Sequence, residues 1–184
     1  MLHFVARCAV KHSIISRKNV FNGHAFNVQE LYVSLPDGRK RNYDLVDHRD
    51  SVTIIPVDET GTIWLVEQFR MGSESSLIEL PAGVIEGNEK PSSCAKREVR
   101  EEIGMAAGKL VQIGSIYLAP GYSNELNHIF LAKDLKPDPL QQDEDEFLSI
   151  KKYTREELTE LIGEGDLLDS KSLAALYLYE QKHS

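Results

Sequence analysis

Several features that would assign the chain to a specialised class are scarce or missing from its sequence. Only two of its 184 residues are cysteines, Cys8 and Cys94. Two cysteines are too few for a disulfide framework, and their separation matches no metal-ligand spacing. Reduced thiols of this kind are typical of a cytoplasmic protein. No apolar run approaches the roughly 20 residues that a membrane-spanning helix needs, so we expect no membrane partner.

Basic residues are also in deficit. Lys and Arg number 21 against 29 Asp and Glu, a formal net charge of −8, which argues against a nucleic-acid partner. An acidic protein can still bind an anionic substrate, but it needs a cation or a local arginine to do so. Residues 1–29 are the exception, because they contain no Asp or Glu. Such an acid-poor start is compatible with a targeting peptide, but we favour an N-terminal strand region.

The hydrophobic pattern predicts an α+β protein with strands mostly in its early and central parts. The predicted strands are 25–35, 41–46, 52–57, 62–69, 77–80, 110–118, 126–132 and 147–153. Pro36-Asp37-Gly38 predicts a hairpin between the first two strands, because Asp-Gly suits a tight turn.

Three helices are expected among and after these strands. In the first, between Pro91 and Gly104, the apolar residues Ala95, Val99 and Ile103 recur at four-residue steps. The second opens with the capping-box pattern of Thr154 and Glu157 and ends near Gly163. The third spans 169–182, with Leu173, Leu176 and Tyr177 on its buried side.

The first helix also carries Glu98, Glu101 and Glu102, whose spacings place their carboxylates at neighbouring positions of one surface. At about 100° per residue, Glu98 and Glu102 flank the apolar stripe and Glu101 lies further toward solvent. Most acidic clusters are simply solvated faces. A divalent cation would instead convert the repulsion among these carboxylates into binding, and oxygen ligands of this type suit magnesium.

The wider segment resembles the Nudix box. It reads Gly83, five residues, Glu89, seven residues, and then Arg97-Glu98-Val99-Arg100-Glu101-Glu102-Ile103-Gly104-Met105. The resemblance implies a Nudix hydrolase with the Nudix fold, in which a mixed β-sheet is sandwiched between helices (α/β/α). It also implies that Glu89 and Arg97 form a structural pair that braces the loop against the helix.

By the same resemblance, Glu98 and Glu102 match the main metal ligands of the family. Glu101 matches an auxiliary ligand and is a candidate catalytic residue. The carbonyl of Ala82, just before the box, often coordinates a metal in relatives. The implied cofactor is Mg²⁺, with Mn²⁺ as a substitute.

Features outside the box indicate a branch of the family. Two features resemble the ADP-ribose and nucleotide-sugar branch. One is Pro120, which lies 15 residues after Met105. The other is the segment Glu67-Gln68-Phe69-Arg70, followed later by Leu80-Pro81-Ala82-Gly83. In that branch an arginine at the position of Arg70 contacts the substrate diphosphate, a task that suits a planar guanidinium. A tyrosine near the position of Tyr122 is instead seen in diadenosine polyphosphate hydrolases, which leaves a second branch open.

An acidic run before the last predicted strand resembles the Glu-x-Glu loop of the ADP-ribose branch. It reads Gln142-Asp143-Glu144-Asp145-Glu146-Phe147. The resemblance assigns Glu144 as a catalytic base and Glu146 as a further metal ligand. A solvated acidic loop would look the same, and the two aspartates blur the register.

The resemblance as a whole implies metal-dependent hydrolysis of the diphosphate linkage of ADP-ribose or a nucleoside diphosphate sugar. The products would be a nucleoside monophosphate and a sugar phosphate. Residues 1–50 would form an N-terminal β-strand extension that contributes to a homodimer, and residues 51–184 the Nudix hydrolase domain. The alternatives are another Nudix substrate, such as a dinucleoside polyphosphate, NADH or an RNA cap, and a non-catalytic nucleotide sensor. Sensors usually lose box glutamates, whereas all are present here.

Overall fold

The computed structural model describes residues 11–141 and 147–183. The strands are β1 (Ser13–Asn22), β2 (Asn27–Ser34), β3 (Lys40–Asp47), β4 (Ser51–Pro56), β5 (Ile63–Arg70), β6 (Ser75–Glu79), β7 (Ala82–Val84), β8 (Met105–Tyr117), β9 (Leu126–Pro137) and β10 (Ser149–Tyr153). The helices are α1 (Pro91–Glu102), α2 (Arg155–Glu164) and α3 (Ser170–His183). No helix in the described part of the chain is long and apolar enough to cross a membrane. The chain forms two compact units: one extends to His48 and includes Ala119–Asn124, and the other contains the remaining residues.

The first unit is built on an antiparallel sheet with the strand order β1-β2-β3. The hairpin predicted at Pro36-Asp37-Gly38 joins β2 to β3. Gly38 has a φ of 85°, which residues with a side chain rarely adopt. The turn Ala119–Asn124 joins this unit, because the Val46 N–H donates to the Tyr122 carbonyl at 2.7 Å. The first predicted strand is therefore confirmed as β2, and β1 adds a strand before it.

The second unit contains a mixed sheet with helices on both faces. The sheet has the order β7-β4-β9-β8, with β4 and β9 parallel, and a separate antiparallel sheet has the order β10-β5-β6. Successive side chains of a strand point to opposite faces. Ile54 packs in the apolar cluster that contains Val99 of α1, whereas Ile55 packs in the cluster that contains Leu176 of α3. The predicted α/β/α sandwich is thus confirmed.

The buried face of α3 differs in part from the prediction. Leu176 is buried as expected, but Tyr177 is 64% exposed and Tyr179 is buried in its place. The buried face also contains Ser172, whose Oγ accepts a hydrogen bond from the Leu80 N–H at 2.7 Å. Ser172 and Tyr179 are about two helical turns apart and therefore share a face.

Two strands extend five residues beyond one of their predicted ends. β8 begins at Met105, directly after α1, rather than near Leu110, and β9 continues to Pro137 rather than ending at Ala132. The added residues pair with each other in the β8–β9 ladder. Ala and Gly residues in the added part of β8 have little intrinsic strand preference, so the cross-strand pairing decides the local structure.

Candidate active site

Helix α1 presents the acidic residues of the site. Pro91 occupies its first turn, and Gly104 turns the chain after its end with a φ of 69°. Ala95, Val99 and Ile103 are buried, as their four-residue spacing predicts. This stripe packs against the sheet and sets the rotation of the helix.

The carboxylates of α1 lie where the helical geometry predicts. Glu98 and Glu102 border the apolar stripe and are buried, with exposed fractions of 7% and 2%. Glu101 lies further out, and its side chain is 20% exposed. Burying a carboxylate is costly in free energy unless its charge is compensated. The groups that contact Glu98 and Glu102 are therefore part of the site.

Both buried carboxylates meet the backbone of β7. Glu102 Oε2 accepts a hydrogen bond from the Ala82 N–H at 3.1 Å. A Cβ atom at Gly83 would lie 1.8 Å from Glu98 Oε1, so the carboxylate occupies the space that any side chain there would need. β7 is itself held in place by pairing with β4. Two carboxylates from successive helical turns therefore converge on one short strand.

Arg97 connects the loop before α1 to the acidic face of the helix. Its Nη2 lies 3.2 Å from Glu89, and its Nη1 lies 2.7 Å from Glu98 and 2.8 Å from Glu101. Nη2 also donates to the Val84 carbonyl at 3.3 Å. The structure thus confirms the predicted Glu89–Arg97 pair and shows that the same guanidinium compensates Glu98 and Glu101.

We expect Arg97→Lys to lower the free energy of unfolding by about 1–3 kcal/mol. A single ammonium cannot reach Glu89 and Glu98 together with the fork geometry of a guanidinium. Urea unfolding measures the change. Arg39→Lys is the control, because Arg39 pairs with Asp37 at an exposed turn and should change the free energy by less than about 0.5 kcal/mol. Equal effects of the two variants would contradict the bracing role.

Arg70, the predicted substrate contact, is held by a buried acid at the end of β6. Its Nε and Nη2 donate to Glu79 Oε1 at 2.8 Å and Oε2 at 2.7 Å. Glu79 is 1% exposed and also accepts a hydrogen bond from Lys171. The hydrogen bonds with Glu79 raise the pKa of Arg70, burial opposes them, and the charge of Glu102 adds to the rise. Arg70 therefore lies within electrostatic reach of the acidic helix.

Sequence analysis missed Glu79 and Lys171. The sequence did contain a signal for Glu79, which lies between Ile78 and Leu80 in a short apolar segment. An acid in such a segment is expected to be buried, and a buried carboxylate needs cationic partners. Burial alone would raise the pKa of Glu79, but hydrogen bonds and the charges of Arg70 and Lys171 hold it below its ordinary value. Glu79 therefore stays ionised and fixes two cations at one point.

The donor set of the site fits a hard divalent cation. Glu98, Glu102 and the Ala82 carbonyl offer oxygen atoms, which Mg²⁺ and Mn²⁺ prefer. The adjacent Cys94 adds no thiolate, because burial and the charge of Glu98 raise its pKa far above the usual range. Within residues 11–141 and 147–183, no three His, Cys, Asp or Glu side chains are arranged to hold an ion. Glu98 and Glu102 are the two carboxylates that α1 brings to the backbone of β7.

Glu144 and Glu146 lie outside the described residues, and their roles stay predictions. The segment that follows them returns to the strand that carries Arg70. Ser149, the first residue of β10, pairs with Glu67 of β5. β10 therefore begins next to the half of β5 that ends at Arg70.

Comparison with known proteins identifies the family to which the chain belongs. The NUDIX domain family model matches residues 47–176, which include α1, β7 and Arg70. The chain therefore belongs to the NUDIX family.

Similarity to individual relatives extends over nearly the whole chain. The chain is 32% identical to the ADP-ribose pyrophosphatase of Bacillus subtilis (strain 168) over 178 residues, which is 96% of both chains. It is 33% identical to the methanol dehydrogenase activator of Bacillus methanolicus over 171 residues, covering 91% of this chain and 92% of that one. A crystal structure of an ADP compounds hydrolase matches with a TM-score of 0.84 and 26% identity, covering 93% of both chains.

Proposed function

We propose that the chain hydrolyses the diphosphate linkage of ADP-ribose or a nucleoside diphosphate sugar, releasing a nucleoside monophosphate and a sugar phosphate. The observation that carries the proposal is the convergence of Glu98 and Glu102 on β7, with Arg70 in electrostatic reach of Glu102. A cation at the carboxylates and a guanidinium within electrostatic reach of Glu102 would offer positive charge to two linked phosphates. The names of two similar proteins, an ADP-ribose pyrophosphatase and an ADP compounds hydrolase, support this substrate class.

Each described residue of the site has a proposed task. Glu98, Glu102 and the Ala82 carbonyl hold Mg²⁺, for which Mn²⁺ can substitute. When bound, such a cation lowers the pKa of water and offsets negative charge on phosphate oxygens. Arg70 orients the diphosphate through its remaining N–H groups, because Glu79 engages its Nε and Nη2.

Three further acids complete the proposed machinery. Glu101 is an auxiliary ligand and a candidate catalytic residue, which in the present structure pairs with Arg97 at 2.8 Å. Glu144 accepts the proton of the attacking water, and Glu146 adds a metal ligand. A carboxylate close to a bound cation is suited to general-base work, since it stays ionised until the proton is transferred.

A substrate panel tests the proposal. With Mg²⁺ present, we expect ADP-ribose or a nucleotide sugar to give a kcat/KM at least about tenfold above that of diadenosine polyphosphates, NADH or capped RNA. Phosphate released after coupling to a phosphatase measures the rates, and EDTA should abolish them. Inertness on ADP-ribose and on every nucleotide sugar would reject the proposal. Turnover of dinucleoside polyphosphates alone would favour the branch indicated by Tyr122, and binding without turnover would indicate a nucleotide sensor.

We also propose that the protein is a cytoplasmic homodimer, with residues 1–50 as the dimerisation region and residues 51–184 as the catalytic domain. The support for the dimer is the exposure of large apolar side chains on β1. Ile15, Val20 and Phe21 of β1 are 49%, 52% and 54% exposed. Large apolar side chains left exposed on one strand are candidates for a contact surface between proteins.

A further inference from the structure

Lys171 lies in the first turn of α3, beside the buried acid Glu79. Asp169 caps this helix, because its Oδ2 accepts a hydrogen bond from the Ser172 N–H at 2.9 Å. The Lys171 side chain is 12% exposed, and its ammonium contacts Glu79 and, at 2.9 Å, Asp169. Lysine is seldom this buried unless it is paired, so these two carboxylates set its position.

The start of α3 is also tied to the backbone that follows Glu79. The Leu80 N–H donates to Ser172 Oγ at 2.7 Å, and Ser172 Oγ donates to Asp169 Oδ2 at 2.5 Å. Leu80 lies two residues before Ala82, whose backbone meets the Glu102 carboxylate. The helix start therefore fixes both the side chain of Glu79 and the backbone that leads to the proposed metal site.

Arg70, Lys171, Glu79 and Asp169 together form a cluster of two cations and two anions. Glu79 holds Arg70 with two hydrogen bonds, so it competes with a substrate phosphate for the same guanidinium. A second cation at Glu79 neutralises part of its negative charge and occupies some of the acceptor sites of its carboxylate, which weakens its competition for Arg70. Without Lys171, the cluster would have a net negative charge and Glu79 would depend on Arg70 alone.

We propose that Lys171 is a positioning residue which, through Glu79, keeps the Arg70 guanidinium oriented and available to an anionic diphosphate substrate. The inference rests on the proposed function of Arg70 in binding that substrate class. We assign Lys171 no direct substrate contact, because its side chain is 12% exposed and its ammonium pairs with two carboxylates. Its effect should therefore fall on substrate binding rather than on the chemical step.

The affinity of the metal-free protein for ADP-ribose tests this role. Isothermal titration in EDTA measures Kd without turnover, and steady-state assays with Mg²⁺ measure KM and kcat. We expect Lys171→Met to raise Kd and KM about tenfold, because Glu79, left with Arg70 as its partner, then competes more strongly with the substrate phosphate for the guanidinium. The kcat should change by less than about threefold. Lys171→Arg keeps the charge and should restore Kd to within about threefold of the wild-type value.

Lys182→Met is the matched control on the same helix. Lys182 lies about 16 Å further along α3, where its ammonium donates to the Ile113 carbonyl at 2.6 Å. This variant should leave Kd and KM at the wild-type values. Its melting temperature shows what the loss of a hydrogen-bonded lysine does to α3 alone.

A double-mutant cycle with Glu79→Gln separates positioning from a general charge effect. If Lys171 acts through Glu79, Lys171→Met should weaken binding by less than about threefold in the Glu79→Gln background. If Lys171→Met alone is too unstable to assay, Lys171→Gln replaces it in both backgrounds, because its amide has no charge but can still donate a hydrogen bond to a neighbouring carboxylate.

Three results would overturn the positioning role. They are an unchanged Kd in folded Lys171→Met at any melting temperature, a loss in kcat that exceeds the rise in KM, and equal losses of affinity in the two backgrounds of the cycle. A wild-type protein that neither binds nor hydrolyses ADP-ribose or any nucleotide sugar would reject the proposed function, and the inference with it. An active wild type with an unaffected Lys171→Met variant would reject the inference alone.

Discussion

Replacing Glu102 with glutamine is expected to reduce kcat about 1,000-fold while the protein stays folded. Glu102 is 2% exposed and accepts a hydrogen bond from the Ala82 N–H. Glutamine has the same shape and keeps an oxygen for that N–H, but it lacks the negative charge that a divalent cation requires. The loss should therefore fall on cation binding and turnover rather than on the fold.

Three measurements on Glu102→Gln separate these effects: kcat, the Kd for Mn²⁺, and the melting temperature without metal. We expect the Mn²⁺ affinity to fall at least about tenfold. Without metal, the melting temperature should stay within about 3 °C of the wild-type value or rise, because a like charge next to Glu98 is removed. Glu160→Gln makes the same chemical change at an exposed position of α2 and should behave as wild type. Near-normal turnover by Glu102→Gln would remove Glu102 from the metal site.

The acidic helix could be predicted because its signal is local. Once α1 forms, the direction of each side chain depends only on its position along the helix. The apolar stripe of Ala95, Val99 and Ile103 therefore determines which glutamates are sheltered. The structure places Glu98 and Glu102 on the sheltered border, in agreement with that reasoning.

The support for Arg70 could not be predicted, because it depends on contacts between distant parts of the chain. Glu79 and Lys171 are 92 residues apart, and they meet only because α3 packs against the end of β6. The error at Tyr177 has the same origin. The sequence of α3 offers more than one apolar stripe, and the buried one is the stripe whose Leu176 and Tyr179 pack in the core beside Ser172, which accepts a hydrogen bond from the distant Leu80 N–H. Local patterns do not contain this information.

The requirement for glycine at position 83 could be explained only from the structure. The family resemblance marks Gly83 as the first residue of the box, but spacing alone does not explain why a glycine is needed there. The structure supplies the reason, because the Glu98 carboxylate lies where a Cβ atom would be. A methyl group at this position therefore tests the site directly.

We expect Gly83→Ala to lower kcat on the order of 100-fold, with a parallel loss of Mn²⁺ affinity. The added Cβ would lie 1.8 Å from Oε1 and 2.0 Å from Cδ of Glu98, far inside any allowed contact. β7 cannot easily retreat, because Gly83 pairs with the fully buried Val52 of β4. The flexible Glu98 side chain must move instead, so the melting temperature should fall by no more than about 5 °C.

A matched control and a combined variant identify the cause of that loss. Gly163→Ala in α2 places a methyl group where nothing lies within 4 Å, and alanine is favoured over glycine in a helix by about 0.5–1 kcal/mol. It should keep full activity and unfold at a slightly higher temperature. Gly83→Ala and Glu98→Gln act on the same carboxylate, so their combination should lose little more activity than either alone. Wild-type Mn²⁺ affinity in Gly83→Ala would mean that the Glu98 carboxylate does not need this space, and the two-carboxylate cation site would then be wrong.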